Sequence, residues 1–176
     1  MAECELIYRS AISDIPFGCY VEIGSYMGRT TAVIGYAAAA RGRIVYAVDH
    51  HVGDVHSGHI TDPDGNIAST LYTFEMNMYR QGLERTVVPV VKDSVKAGNE
   101  FTQDIAFLFI DGLHEEDACR NDFEAFRPHL LPGAAVCFHD YGRFGVAPVV
   151  DGLIAGGVIE KVEQSETLFA ARYTCQ

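Results

Sequence analysis

Two short segments carry the groups best able to do chemistry. One apolar run ends in Ile110-Asp111-Gly112-Leu113-His114, and another ends in Phe138-His139-Asp140-Tyr141. Carboxylates with an imidazole are acceptable ligands for a hard divalent cation such as Mg²⁺. Held by Asp111, His139 and Asp140, a cation would lower the pKa of a bound hydroxyl and stabilise its alkoxide. His114, with an unperturbed pKa near ~6.5, is suited to take the proton. Each residue also has a plainer use. Asp111 and Asp140 can cap helices or face water in loops, His114 can be a first-turn helix residue with no chemical role, and His139 can be a partly buried ring bonded to backbone.

A second set lies earlier in the chain, at Val21-Glu22-Ile23-Gly24-Ser25-Tyr26-Met27-Gly28. Gly24 lets the backbone turn and approach a ligand, and Gly28 opens a helix. Tyr26 interrupts the dinucleotide pattern G-x-G-x-x-G, and no Gly-Lys-Ser/Thr follows to make a phosphate loop. Glu22 is awkward beside a pyrophosphate but suits a cationic ligand without phosphate. Asp49 ends the next run and is placed to accept from ribose hydroxyls. Asp93-Ser94 ends a third, where a carboxylate can accept from the amino group of a base. Turn glycines and helix-capping acids remain the alternative, against which stands the coincidence of three such strand ends.

Positioning these groups requires strands that stop at them. Short, almost continuously apolar runs at Cys19–Ile23, Arg43–Val48, Thr86–Val91, Ile105–Ile110 and Ala134–Phe138 read as strands buried on both faces. Pro89 removes a ladder donor and assigns its strand to an edge. Helical patterns lie between them: Gly28–Arg41, stopped by Gly42; Ile67–Gln81, with Leu71, Phe74, Met78 and Tyr79 near one face; and Asp117–Arg127, ended by Pro128. This alternation predicts a doubly wound α/β fold in one domain spanning residues 1–176, with a mostly parallel sheet. Ile159–Gln164 and Thr167–Tyr173 predict an antiparallel hairpin at one edge. The remaining stretch, His50 to Asn66, holds four of the seven histidines, His50, His51, His56 and His59. Their spacing matches no helix-borne or zinc-finger pattern, so a solvated lid is expected, with His51 the one to touch ligand. Tyr26 and Met27 are candidates to line the crevice, with core packing the default for both.

Composition narrows the function classes. A net charge of −11 and the absence of any Lys/Arg run disfavour nucleic acid and anionic membranes as partners. Five scattered cysteines without a Cys-x-x-Cys pair suit a reducing compartment. The first ten residues lack a signal-peptide apolar core and no run is long enough to span a membrane, so a cytoplasmic location is expected.

Taken in order, Glu-x-Gly-Ser-x-x-Gly-x-Thr, Val-Asp-His, Lys-Asp-Ser, Phe-Ile-Asp-Gly-x-His and Pro-Gly-Ala-x-x-x-Phe-His-Asp-Tyr resemble the class I methyltransferases grouped with macrolide sugar O-methyltransferases and cephalosporin-hydroxylase-like proteins. The resemblance runs from about Phe17 to Tyr173. It implies a Rossmann-like domain with a seven-stranded sheet and S-adenosylmethionine as cofactor. Glu22, Gly24 and Ser25 would lie on the methionine side, Asp49 at the ribose, and Asp93 with Ser94 near adenine, with His50 and Asp111 also in contact. Metal-dependent relatives carry an acid at the position of Asp111, a base at that of His114 and an acid pair after the fifth strand. Here His139 replaces the first acid of that pair. The leading expectation is methyl transfer to a hydroxyl of a small-molecule acceptor. The alternatives are a metal-dependent oxidation on the same fold and a non-catalytic nucleoside-binding subunit. So little chain precedes Phe17 that a second subunit, in a homo-oligomer, is a candidate to complete the acceptor pocket.

Overall fold

A computed structural model of the protein describes residues 2–12, 15–54, 58–59, 61, 64–65, 68–143 and 145–174. The chain runs α1 (Ala2–Ala11), β1 (Cys19–Ile23), α2 (Arg29–Ala40), β2 (Val45–Val48), β3 (Gly53–Asp54), β4 (Gly58–His59), α3 (Leu71–Arg80), β5 (Val87–Val90), α4 (Ser94–Glu100), β6 (Ile105–Ile110), α5 (Glu116–Phe126), β7 (Leu130–Phe138), α6 (Val146–Ala155), β8 (Ile159–Ser165) and β9 (Leu168–Tyr173). Seven strands form one sheet in the order β5-β2-β1-β6-β7-β9-β8. The first five are parallel, and β9 pairs antiparallel with both β7 and β8. The Rossmann-like sheet and its terminal hairpin are therefore as expected, and β5, which carries Pro89, is an edge.

The strands form where side chains can be buried on both faces: every residue of β1 and β6 is buried. Tyr20, Phe107 and Phe109 face a core shared with α1, α2 and α3. Val21, Leu108 and Ile110 face a second core on the other side, which includes Phe123 and Phe126 of α5 and Val149 and Val150 of α6. Cys19 and Cys137 are free and buried, their thiols pushed up to about 12 by desolvation. No helix among the described residues is long and apolar enough to cross a membrane.

Several elements differ from the sequence expectation. α1, α4 and α6 were not foreseen. α1 buries only Leu6, Ile7 and Ala11. α4 is seven residues long and contains Gly98. α6 opens Val146-Ala147-Pro148-Val149-Val150, whose β-branched residues disfavour a helix until packing overrides propensity. β7 begins at Leu130, earlier than Ala134, because its first half alternates in burial instead of being uniformly apolar. α3 begins at Leu71, and its Tyr79 faces outward while Phe74 and Met78 are buried. Of the histidine-rich stretch, His56 and Asp62 and the side chains of Asp54 and His59 lie outside the described residues.

Strand order reverses between β1 and β6, and there the chain is tightest. The Asp111 N–H donates to the Ile23 carbonyl at 2.9 Å, and the Gly24 N–H donates to the Val48 carbonyl at 2.9 Å. Gly24 has φ +85°, and a Cβ there would sit on the Asp111 carbonyl oxygen. Gly24→Ala should therefore destabilise the protein by about 3 kcal/mol or more in denaturant titration, since backbone on both sides must move.

Candidate active site

The loop leaving β1 is held from three directions. Tyr26, at φ 47°, donates its N–H to Asp49 Oδ2 at 2.7 Å. Asp49 Oδ1 accepts from the His51 N–H, also at 2.7 Å. Asn77 on α3 donates to the Met27 carbonyl at 2.8 Å. The acid after β2 thus ties two strand exits together through backbone amides. Tyr26 projects outward, 56% exposed, and does not take the default place in the core. His51 is 1% exposed, with its ring against Phe74 and its Nδ1 2.9 Å from the Thr70 hydroxyl, so it braces the loop from within. Burial lowers its pKa and keeps it neutral. The neighbouring His50 is exposed, with Nδ1 4.0 Å from Asp49 Oδ1.

Glu22 lies beneath this loop, completely buried, with Thr31 as its polar neighbour. Desolvation raises its pKa to about 8, and Asp111 and Asp49 add to the rise. No hydrogen bond reaches either Glu22 oxygen, the Ser25 hydroxyl or His51 Nε2 among the described residues. Buried polar atoms left unmet in this way are the expected signature of a site completed by a polar ligand.

Asp93 and Ser94, which follow β5, turn to different partners. Asp93 caps α4, accepting from the Lys96 N–H at 3.0 Å. Ser94 turns toward α5 and donates to Asp122 Oδ1 at 2.5 Å. Asp122 is buried, and desolvation raises its pKa to about 6. Nothing in the sequence pattern marked Asp122, one of four acids on α5 with Glu116, Asp117 and Glu124.

Across the strand-order reversal, Asp111, His114, His139 and Asp140 converge, with one ligand atom from each within 4.8 Å of all the others. His139 Nδ1 lies 3.0 Å from Asp111 Oδ1 and 3.5 Å from Asp140 Oδ2. His114 Nε2 lies 3.0 Å from Asp140 Oδ2 and 3.6 Å from Asp111 Oδ1. Asp140 sits at φ 55°, a left-handed conformation that Asp tolerates better than most residues. The Asp111 contact, with support from both acids, raises His139 to about 9 and raises His114 as well. Burial alone would raise Asp111, but the two imidazoles outweigh it and hold the carboxyl low.

A contributor that the sequence did not reveal comes from α1. Glu3 Oε1 accepts from both the N–H and the hydroxyl of Thr167 at 2.9 Å, and Glu3 Oε2 lies 3.6 Å from His139 Nε2. Burial acts to raise the Glu3 pKa, and the Thr167 donors with His139 reverse that. The available signal was the Leu6, Ile7, Ala11 spacing, which makes Glu3 a first-turn helix residue.

Residues 21–141 match the family of methyltransferase domains. The chain belongs to that family. Similar solved structures show how widely its fold is used. The O-methyltransferase NovP superposes with a TM-score of 0.76 at 19% identity, covering 97% of this chain and 79% of NovP. The O-methyltransferase TomG from Streptomyces achromogenes, in complex with S-adenosylmethionine, gives 0.70 at 13% identity, over 98% and 80% of the two chains. An rRNA methylase from Streptococcus thermophilus gives 0.67 at 14% identity, over 98% and 96%. This methyltransferase therefore has the class I methyltransferase fold, and open α/β sheets of this kind place their ligand at the strand-order reversal.

The paired imidazoles give the methyltransferase a pH signature. His139 is raised above its unfolded value, so its contribution to stability is complete below pH 6.5 and is lost as pH rises toward about 9. Glu22, raised from 4.5 to about 8, also lowers stability as pH rises, so the comparison must be with a variant. In chelator, the wild-type melting temperature should fall between pH 6.5 and 9 more steeply than that of His139→Gln; equal slopes would refute the assignment.

Proposed function

We propose that the protein, acting as a single S-adenosylmethionine-binding domain, transfers the cofactor's methyl group to a hydroxyl oxygen of a small molecule, with a divalent cation assisting. The observation that carries this reading is the set of four proton- and metal-binding groups facing the β1 loop across the reversal point. The unmet Ser25 and Glu22 atoms fit a polar cofactor on the loop side. Two carboxylates and two imidazoles in one cluster fit a cation on the other side.

On this reading Gly24 and Ser25 line the methionine side, and Asp49, with His50 beside it, accepts from the ribose. Asp93 keeps its second carboxylate oxygen for the base, and Ser94 acts only through Asp122. Bound S-adenosylmethionine supplies an electrophilic methyl, and a cation at Asp111, His139 and Asp140 would favour the ionised acceptor hydroxyl. His114 takes the hydroxyl proton while its Nε2 faces the two carboxylates. Asp140 and Asp111 stabilise the imidazolium that results, which makes His114 a stronger base than a free imidazole. Alignment of acceptor and methyl carries most of the remaining rate, since in-line displacement asks little covalent help from protein.

The fold does not select the acceptor, since an rRNA methylase shares it. Charge does: at −11 the protein repels a phosphate backbone. Calorimetric titration should show micromolar binding of S-adenosylmethionine and S-adenosylhomocysteine, abolished in Asp49→Ala. His114→Gln should retain S-adenosylhomocysteine binding while lowering kcat about 10²- to 10⁴-fold on a hydroxylated acceptor. Failure to bind either ligand would overturn the reading, and methylation of RNA in preference to small hydroxyl compounds would overturn the acceptor class.

A further inference from the structure

The ligand atoms at the cluster do not all belong to one chemical type. Asp111 and Asp140 offer oxygen, but between them stands the Nδ1 of His139, at 3.0 Å and 3.5 Å. Although so near, Nδ1 is buried and completes no aligned hydrogen bond with either carboxylate. The three atoms lie within 4.8 Å of one another, close enough for one cation to reach all of them.

The far side of the ring is equally specific. Metal-binding imidazoles usually present their second nitrogen to a carboxylate, which sets the tautomer and ring orientation. His139 Nε2 faces Glu3 Oε2 at 3.6 Å, and Glu3 is itself held by two Thr167 donors at 2.9 Å. The ring also lies near Phe109, with centroids 6.4 Å apart. Thus α1 and the turn between β8 and β9, both outside the segment that matches the family, orient this one ligand.

Nitrogen in the ligand set matters because cations differ in their tolerance of it. Mg²⁺ is hard, dehydrates reluctantly and prefers oxygen, whereas imidazole suits first-row transition cations. We propose that His139, oriented by Glu3, makes the Asp111–His139–Asp140 site selective for a transition divalent cation over Mg²⁺, with Mn²⁺, the weakest binder of that series, as the spectroscopic probe. The proposal rests on the metal-assisted reading above. Glu3 serves as a positioning residue: it reaches the cation through His139 and does not touch it.

Titration of the protein with MnCl₂ and, separately, MgCl₂ tests this without any turnover. The wild type should bind Mn²⁺ with a preference over Mg²⁺ that falls at least 10-fold in His139→Asp, which exchanges nitrogen for oxygen. Bound Mn²⁺ should show electron spin-echo modulation from a histidine nitrogen in the wild type, and this should vanish in His139→Asp. Glu3→Gln, which keeps an oxygen for Thr167 but loses the charge facing His139, should weaken Mn²⁺ binding about 10- to 100-fold with melting temperature and S-adenosylhomocysteine affinity unchanged. An unchanged Mn²⁺/Mg²⁺ ratio in His139→Asp, or no nitrogen modulation in the wild type, would overturn the proposal while leaving metal assistance intact. Absence of binding by either cation would overturn both, and retained S-adenosylhomocysteine affinity would show that the cofactor reading survives.

Discussion

The close approach of two strand exits governs the rest of the molecule. β1 and β6 are neighbours, yet their following helices leave to opposite faces, so the chain parts at Gly24 and Asp111. With a side chain at Gly24 the exits would have to separate, and the loop amides, Asp49 and the acid–imidazole cluster would lose their common frame. Open α/β sheets place ligands where strand order reverses because only there do adjacent loops diverge and leave a crevice. The four-group cluster follows β6 and β7, and the Asp49-tethered loop follows β1.

What could be read from the residues follows from how local their constraints are. β1 and β6 were legible to the residue because burial on both faces demands unbroken apolarity, and turn residues bound them. The edge position of β5 was legible because Pro89 lacks a donor. α6 was not, since Val149 and Val150 look like strand until both cores are assembled. The convergence of Asp111, His114, His139 and Asp140 was legible once both strand ends were placed at one crevice edge.

Other parts of the site depend on contacts remote in sequence. Glu3 meets Thr167, 164 positions away, and nothing local to either marks the pair. Ser94 was correctly placed at a strand end, but its rotation toward Asp122 is decided by how α4 packs on α5. His51 was singled out for its nearness to Asp49, and the structure shows that this nearness serves the backbone: its N–H donates to the acid while its ring is buried. Position along a strand end was thus readable; the direction of each side chain was not.

Two carboxyl groups in this crevice, Glu22 and Asp111, show how environment separates like residues. Both are removed from water, and desolvation is the largest influence on each. Asp111 has two imidazoles within reach and stays ionised, while Glu22 has only the Thr31 hydroxyl and holds its proton to about pH 8. Environments that push titratable groups apart assign them different tasks. Asp111 is fit to hold a cation or an imidazolium. Glu22, neutral at pH 7 when the loop is free, ionises most readily when positive charge arrives above it. On the proposed reading, a ligand bearing a sulfonium and an ammonium would bring that charge, and the acid beneath the loop would respond to the charge of what binds as well as to its shape.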